Sequence, residues 1–314
     1  MLAYFARRIL LAVPVMFVVA AGVFLLLYLT PGDPVSVILG PDASPQQISE
    51  LRVKLGLDQP VPAQIVRWFG RLLRGDLGQS IYLNRPVGQT ILERAEPTLM
   101  LTLLATAFAV AVGLPIGIVS ATRAGSWADL GAMLVALGGI SMPSFWVGLN
   151  LIFLFAVVLG LLPVAGYQPL SKGLWEHLRY LALPAVTLGF AQAALLARMS
   201  RSMMLDVLRE DYVRTARAKG LRERTVVLFH ALRNAMVPLV TVMGLTFAIL
   251  MGGAVITEQV FNIPGIGRLL VQSVLRRDYP VVQGIVLVIA FNYVVIHLVV
   301  DVLYGFFDPR VRHS

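Results

Sequence analysis

Six stretches of this chain carry no charged side chain: 9–32, 97–122, 130–171, 180–197, 234–257 and 279–300. Each holds, or nearly holds, the roughly 20 apolar residues needed to cross about 30 Å of hydrocarbon. The pattern predicts an all-α integral membrane protein with six transmembrane helices. The run 180–197 is the shortest, so its helix is expected to continue past Arg198. The run 130–171 could hold two short spans, which makes seven the alternative count. Leu162-Pro163, Gly166 and Pro169 nevertheless take the chain out of the apolar layer near Leu161. The domains read as 1–32, a tail and first helix; 33–96, an outer loop; and 97–314, a core of five helices with a cytoplasmic loop at 198–235.

That loop is the most patterned polar segment. Residues 198–233 hold nine basic side chains: Arg198, Arg201, Arg209, Arg214, Arg217, Lys219, Arg222, Arg224 and Arg233. Loops rich in Lys and Arg face the cytoplasm. A helix is predicted over Asp211–Lys219, closed by Gly220 as its C′ residue with basic side chains in the last turn. A second amphipathic stretch runs from Glu223 towards Asn234 and into the next apolar span. A short helix, a glycine and another helix below a membrane domain suit docking by a partner protein.

The remaining basic residues agree on orientation. With the N terminus inside, fourteen Lys and Arg lie on the inner side and five in the two short outer loops. Both termini are therefore expected in the cytoplasm. The opening helix follows Arg7 and Arg8, but its 24-residue apolar run is longer than a signal-peptide core, so a retained helix is expected.

Within the outer loop, Ser44-Pro45-Gln46-Gln47 reads as an N-cap with Pro at N1 and Gln at N3. Ile48, Leu51 and Leu55 follow at helical spacing. A second helix from Pro62 would carry Ile65, Trp68, Phe69, Leu72 and Leu73 on one stripe, stopped by Gly75-Asp76 and Gly78. Such stripes pack on neighbours more often than they receive a partner.

Composition agrees: 58% of residues are hydrophobic and 14% charged, against about a quarter charged in soluble domains. The net charge of +9 follows largely from the inner-side bias rather than from nucleic-acid binding. No Gly-Lys pair occurs, so no P-loop can form. The absence of Cys excludes disulfides and thiol metal sites, and the four histidines form no metal spacing. His297 and Asp301 lie one turn apart, either an intramembrane pair or an interface-level helix cap. A secondary transporter would need paired ionisable groups near the midplane, and none of the six runs supplies a carboxylate.

Breakers mark further positions. Pro143 in GGISMPSFWVG is expected to kink the third span, and Gly113, Pro115 and Gly117 to interrupt the second. After the fifth span comes Phe261-Asn262-Ile263-Pro264-Gly265-Ile266-Gly267. Such irregular backbone is tolerated near a membrane when buried in protein or lining a cavity. Pro143, Phe261, Pro264, Gly265 and Gly267 are the candidate pathway or gate residues.

Four segments together are similar to the membrane permeases of bacterial ATP-binding-cassette importers for dipeptides, oligopeptides and glutathione. They are the opening run ending Thr30-Pro31-Gly32-Asp33-Pro34, the loop Glu210–Asn234, the stretch Thr257–Pro280, and the ending Val300 through Arg310. The compact segment between spans three and four is closest to the glutathione-type branch; a nickel-permease branch shares the architecture. The resemblance implies the type I importer permease fold, with a periplasmic loop domain after the first helix. It also implies a homologous second permease subunit, two ATPase subunits, a periplasmic or lipid-anchored substrate-binding protein, and a place in the bacterial inner membrane. The chain would do no covalent chemistry and hold no cofactor, with ATP and Mg bound by the ATPases. The family's Glu-Ala-Ala-x-x-x-Gly motif, aligned on Gly220, falls on Arg214-Thr215-Ala216, so only Ala216 and Gly220 match. Arg233 stands where that motif expects a Pro. Glu210, Asp211, Tyr212, Thr215, Ala216, Ala218 and Gly220 are the candidate coupling residues, with Tyr212 and Ala216 expected on one outward face.

Overall fold

The computed structural model describes residues 2–29, 35, 39 and 43–307; the Thr30–Pro34 segment, the tail from 308, and the side chains of Arg7, Arg8, Leu51, Leu55 and Asp301 lie outside the described residues. The order is α1 (Leu2–Leu29), α2 (Pro45–Leu55), α3 (Val61–Leu72), α4 (Val87–Thr122), α5 (Trp127–Ser141), α6 (Ser144–Leu151), α7 (Leu174–Leu208), α8 (Asp211–Ala218), α9 (Leu232–Val260), α10 (Ile266–Leu275) and α11 (Tyr279–Phe307). A π-helical stretch, Ile152–Val158, extends α6, and another, Val226–Ala231, leads into α9.

Among the described residues four helices are long and apolar enough to cross a membrane: Val87–Thr122, Leu174–Leu208, Glu223–Val260 and Tyr279–Val300. Trp127–Ser141 with Ser144–Val158 makes a fifth if the pair is one span, bent by 104°. In α1 the described apolar stretch is Leu10–Leu25. The bend is far sharper than the expected kink. A residue before proline is pushed out of the α region, and Met142 takes ψ 131 and Pro143 also ψ 131. Two extended residues in succession end α5 and let α6 restart in a new direction.

The chain divides into two compact units. One comprises Pro97–Pro264 and Tyr293–Ser314, the other Leu2–Glu96 and Gly265–Asn292. In the second unit Ser44 caps α2 with a full capping box: its hydroxyl accepts from Gln47 N–H, and Gln47 Oε1 accepts from Ser44 N–H. The half-buried face of α3 packs on α1 through Phe69 on Phe17 at 4.9 Å and Trp68 on Phe24 at 5.6 Å. Leu73 leaves the predicted stripe, 87% exposed just past the helix end. A core of Val87, Ile91, Ile266, Leu269, Val281 and Ile285 joins α4, α10 and α11 within this unit. Buried Asp278 accepts from Ser80 Oγ and from the N–H groups of Ile81 and Tyr82.

In the first unit α7 is the central element. Gly113 and Gly117 do not interrupt α4, which runs unbroken for 36 residues with Pro97 and Pro115 inside it. They bring α4 onto α7: a Cβ at Gly113 would lie 2.4 Å from Ala193 O, and one at Gly117 2.5 Å from Ala197 O. Gly189 returns the contact, since a Cβ there would lie 2.5 Å from Ala105 O. Small residues allow such close helix approach. One core gathers Leu101, Leu181, Leu188, Leu250, Phe261 and Ile263, and another Leu196, Met204, Val227, Ala231 and Leu239.

Candidate functional site

Helix α8 forms at the position the polar pattern predicts, and its ends explain why. Thr215 Oγ1 donates to Asp211 O at 2.9 Å, and Arg214 pairs with Asp211 on the same exposed surface. At the C terminus Gly220 takes φ 78, Gly220 N–H donates to Arg217 O at 2.9 Å and Leu221 N–H to Ala216 O at 3.4 Å. Those two bonds make a Schellman closure, which needs a residue at ease in the left-handed region. No atom lies within 4 Å of a Cβ built on Gly220, so conformation alone demands the glycine.

The helix is seated on its own domain. Val213 and Ala216 are buried and pack with Val226 and Leu208. This corrects the expectation that Ala216 lies with Tyr212 on an outward docking face: Ala216 faces inward, and its small side chain lets α8 lie close to the turn that leads into α9. Glu210, Asp211, Tyr212, Thr215, Ala218 and Gly220 are exposed. Tyr212 is 41% exposed and its hydroxyl accepts from Asn234 Nδ2 at 2.8 Å. The same amide donates to His230 O at 3.0 Å, so the ring is fixed in place as a surface plate. Arg217 forks onto Glu223 at 2.8 and 3.2 Å, and that carboxylate raises the Arg217 pKa above its ordinary value. Val213 and Val226 are members of this site that the sequence reading did not single out, and the Arg217–Glu223 and Asn234–Tyr212 pairings are contacts it did not foresee. A signal existed for Val213, an apolar residue three positions before Ala216 in an otherwise polar helix.

Three of the nine basic residues lie on the long helices that flank the loop, Arg198 and Arg201 on α7 and Arg233 on α9. Arg201 lies on α7 and forks onto buried Asp129, with Nε to Oδ1 at 2.6 Å and Nη2 to Oδ2 at 2.7 Å. Glu258 reads in the sequence as the first charge after the fifth span, since the charge-free run stops at residue 257, yet α9 continues to Val260 and carries it. It is fully buried and accepts from Thr98 Oγ1 at 2.6 Å.

The candidate pathway residues are divided between the units. Pro143 starts α6, and five residues on Gly148 packs beside Phe261 and Thr187: a Cβ there would lie 3.3 Å from the Phe261 ring and 3.0 Å from Thr187 Cγ2. Gly166 N–H donates to Phe261 O at 2.8 Å. The first unit therefore sets α6, five residues past the Pro143 break, beside Phe261, and ends at Pro264. Gly265 and Gly267 belong to the second unit, where both are buried at the start of α10. Phe261–Gly267 is thus a crossing from one unit to the other. Among the described residues no three His, Cys, Asp or Glu side chains cluster as a metal site.

Residues 113–313 match the family described as binding-protein-dependent transport system inner membrane component, and residues 1–102 match its N-terminal companion. A putative peptide transport system permease protein of Brucella abortus (strain 2308) is 48% identical over 314 residues, covering 100% of both chains. A glutathione transport system permease protein of Salmonella paratyphi A (strain ATCC 9150 / SARB42) is also 48% identical, again over 100% of both. A solved structure titled as an inward-facing conformation of the MetNI methionine ABC transporter superposes with a TM-score of 0.58 at 18% identity, over 70% of this chain and 97% of that one. This likeness establishes the fold, that of type I importer permeases.

Proposed function

Because the chain belongs to the family of binding-protein-dependent transport system inner membrane components, we propose that it forms half of the translocation pathway of an ATP-driven importer for peptides of the dipeptide, oligopeptide or glutathione kind. Its partners are a homologous second permease, two ATPase subunits on the cytoplasmic side and an outer substrate-binding protein. Both termini and α8 face the cytoplasm. The names of the full-length relatives support the cargo class.

The observation that carries the coupling role is the form of α8. A mechanical link must be short, rigid and exposed on one side while fixed on the other. Helix α8 has eight residues, buries Val213 and Ala216, is closed by the Gly220 turn, and offers Asp211, Tyr212, Thr215 and Ala218 to a partner. ATP and Mg stay with the ATPases, whose closure displaces α8. Pro143, Phe261, Pro264, Gly265 and Gly267 shape the pathway, because they mark the broken span and the crossing between units.

The test is site-specific cross-linking in the assembled transporter. The chain has no natural cysteine, so Thr215→Cys introduces a single thiol. It should form a disulfide with a cysteine scanned across the ATPase surface, and ATP should change the yield. Absence of any cross-link from Thr215 or Ala218 in a transporting complex would remove α8 as the coupling site.

A further inference from the structure

Asp129 and Arg201 are remote in sequence and meet between α5 and α7, both within the first unit. The Asp129 carboxylate is buried and fully occupied. It accepts two bonds from Arg201, one from Ser120 Oγ at the end of α4, and one from Gly125 N–H at 2.9 Å. Ser126 caps α5 by accepting from Asp129 N–H. One side chain thus gathers the end of α4, the α4–α5 turn, the start of α5 and the middle of α7.

Two further contacts make these helices one body. Gly117 of α4 lies directly on the Ala197–Arg201 stretch of α7. Gly139 of α5, ten residues beyond Asp129, lies on Ala194 and Phe190, with a Cβ position 3.2 Å from each. Helix α5 is therefore held antiparallel along α7 from its first turn almost to its end at Ser141. Past Arg201, α7 continues unbroken to Leu208, about 10 Å further, and the chain enters α8 at Asp211.

We propose that the Asp129–Arg201 pair is the joint through which displacement of α8 is passed from α7 to the broken span α5–α6. Asp129 and Arg201 are positioning residues in this role. The idea rests on the coupling reading of α8. A push on α8 moves α7, and α5 can follow only if the interface does not shear. A bidentate bond onto a buried carboxylate resists shear, because sliding breaks both N–H···O bonds and leaves Asp129 desolvated without its half-buried partner. Motion is then released where the backbone is not helical, at Met142-Pro143, so α6 changes its angle to α5. Phe261 lies beside Gly148 of α6 and receives that motion first.

The experiment measures cargo moved per ATP hydrolysed by the complete transporter in proteoliposomes. Asp129→Asn keeps a single acceptor oxygen where Ser120 and Gly125 now use Oδ1 and Oδ2 separately, and turns an amide NH2 against one of the two Arg201 donors. It should leave the ATPase subunits bound and hydrolysis running, while cargo per ATP falls by about ten-fold or more. Arg201→Lys, which retains the charge but cannot fork, should give an intermediate ratio. A merely structural pair would lower transport and hydrolysis together at constant ratio, and that result overturns the proposal. If Asp129→Asn does not assemble, the ratio for Arg201→Lys decides. A Thr215 cross-link that forms in wild type beside an unchanged ratio sinks this proposal alone; its absence in wild type sinks the coupling reading.

Discussion

Replacing Gly117 by Val is the sharpest test of how the first unit packs. A Cβ at this position would lie 2.5 Å from Ala197 O, 2.5 Å from Ser200 Cβ and 3.0 Å from Arg201 N. Non-bonded carbons rest about 3.5–4.0 Å apart, so α4 and α7 must separate by roughly 1 Å. None of the three neighbours can rotate aside, because each is backbone or a Cβ on a helix. Overpacking of this kind costs about 1–3 kcal/mol, and the helix propensity of Val over Gly returns only a few tenths of a kcal/mol. The net destabilisation is about 1–3 kcal/mol, or roughly 1.5–5 °C in Tm at about 2.1 cal/mol/K of unfolding entropy per residue over 314 residues. Gly138→Val is the matched control: no atom lies within 4 Å of its Cβ position, and its Tm should stay within about a degree of wild type, the propensity gain being small. Thermal unfolding of the purified chain in detergent, followed by tryptophan fluorescence, measures both. Equal Tm values for the two variants would refute the close crossing of α4 on α7.

The other expectations concern orientation, closure, burial and the pathway. Cysteine at Ser44 should react with a membrane-impermeant thiol reagent in intact cells and cysteine at Ser202 should not; labelling at Ser202 would invert the assigned topology. Gly220→Ala forces a Cβ into φ 78 and should cost about 1 kcal/mol of α8 stability, read as faster proteolysis of the 210–225 loop; unchanged proteolysis would contradict the Schellman closure. Glu258→Ala removes the carboxylate that accepts from Thr98 Oγ1 and should lower Tm more than Glu258→Gln, which keeps an acceptor oxygen; equal losses would show that the Thr98 bond contributes nothing. Gly265→Val with Gly267→Val should reduce uptake while the ATPases stay bound, and normal uptake would remove the gate role.

Much of this architecture was legible in the pattern of residues. Charge-free runs located the apolar helices, Ser44 and Gln47 announced the capping box, and Gly220 announced the end of α8. All are local: a run of apolar side chains, a cap or a left-handed residue acts within a few positions of itself. What sequence misread involved partners far along the chain. Gly113 and Gly117 looked like interruptions of a helix, and are places where α7 presses against it. Arg201 looked like a loop cation, and is held by a carboxylate 72 positions away. Ala216 shares a helix face with Tyr212 by spacing alone, yet Val226 and Leu208 choose which side of α8 is buried. The 104° turn at Pro143 is intermediate between the two cases: proline ends the helix locally, but its neighbours α7 and Phe261 set the direction of the restart. Local backbone preference acts on the residue that carries it, whereas burial and ion pairing depend on which helices the finished fold brings within a few ångströms.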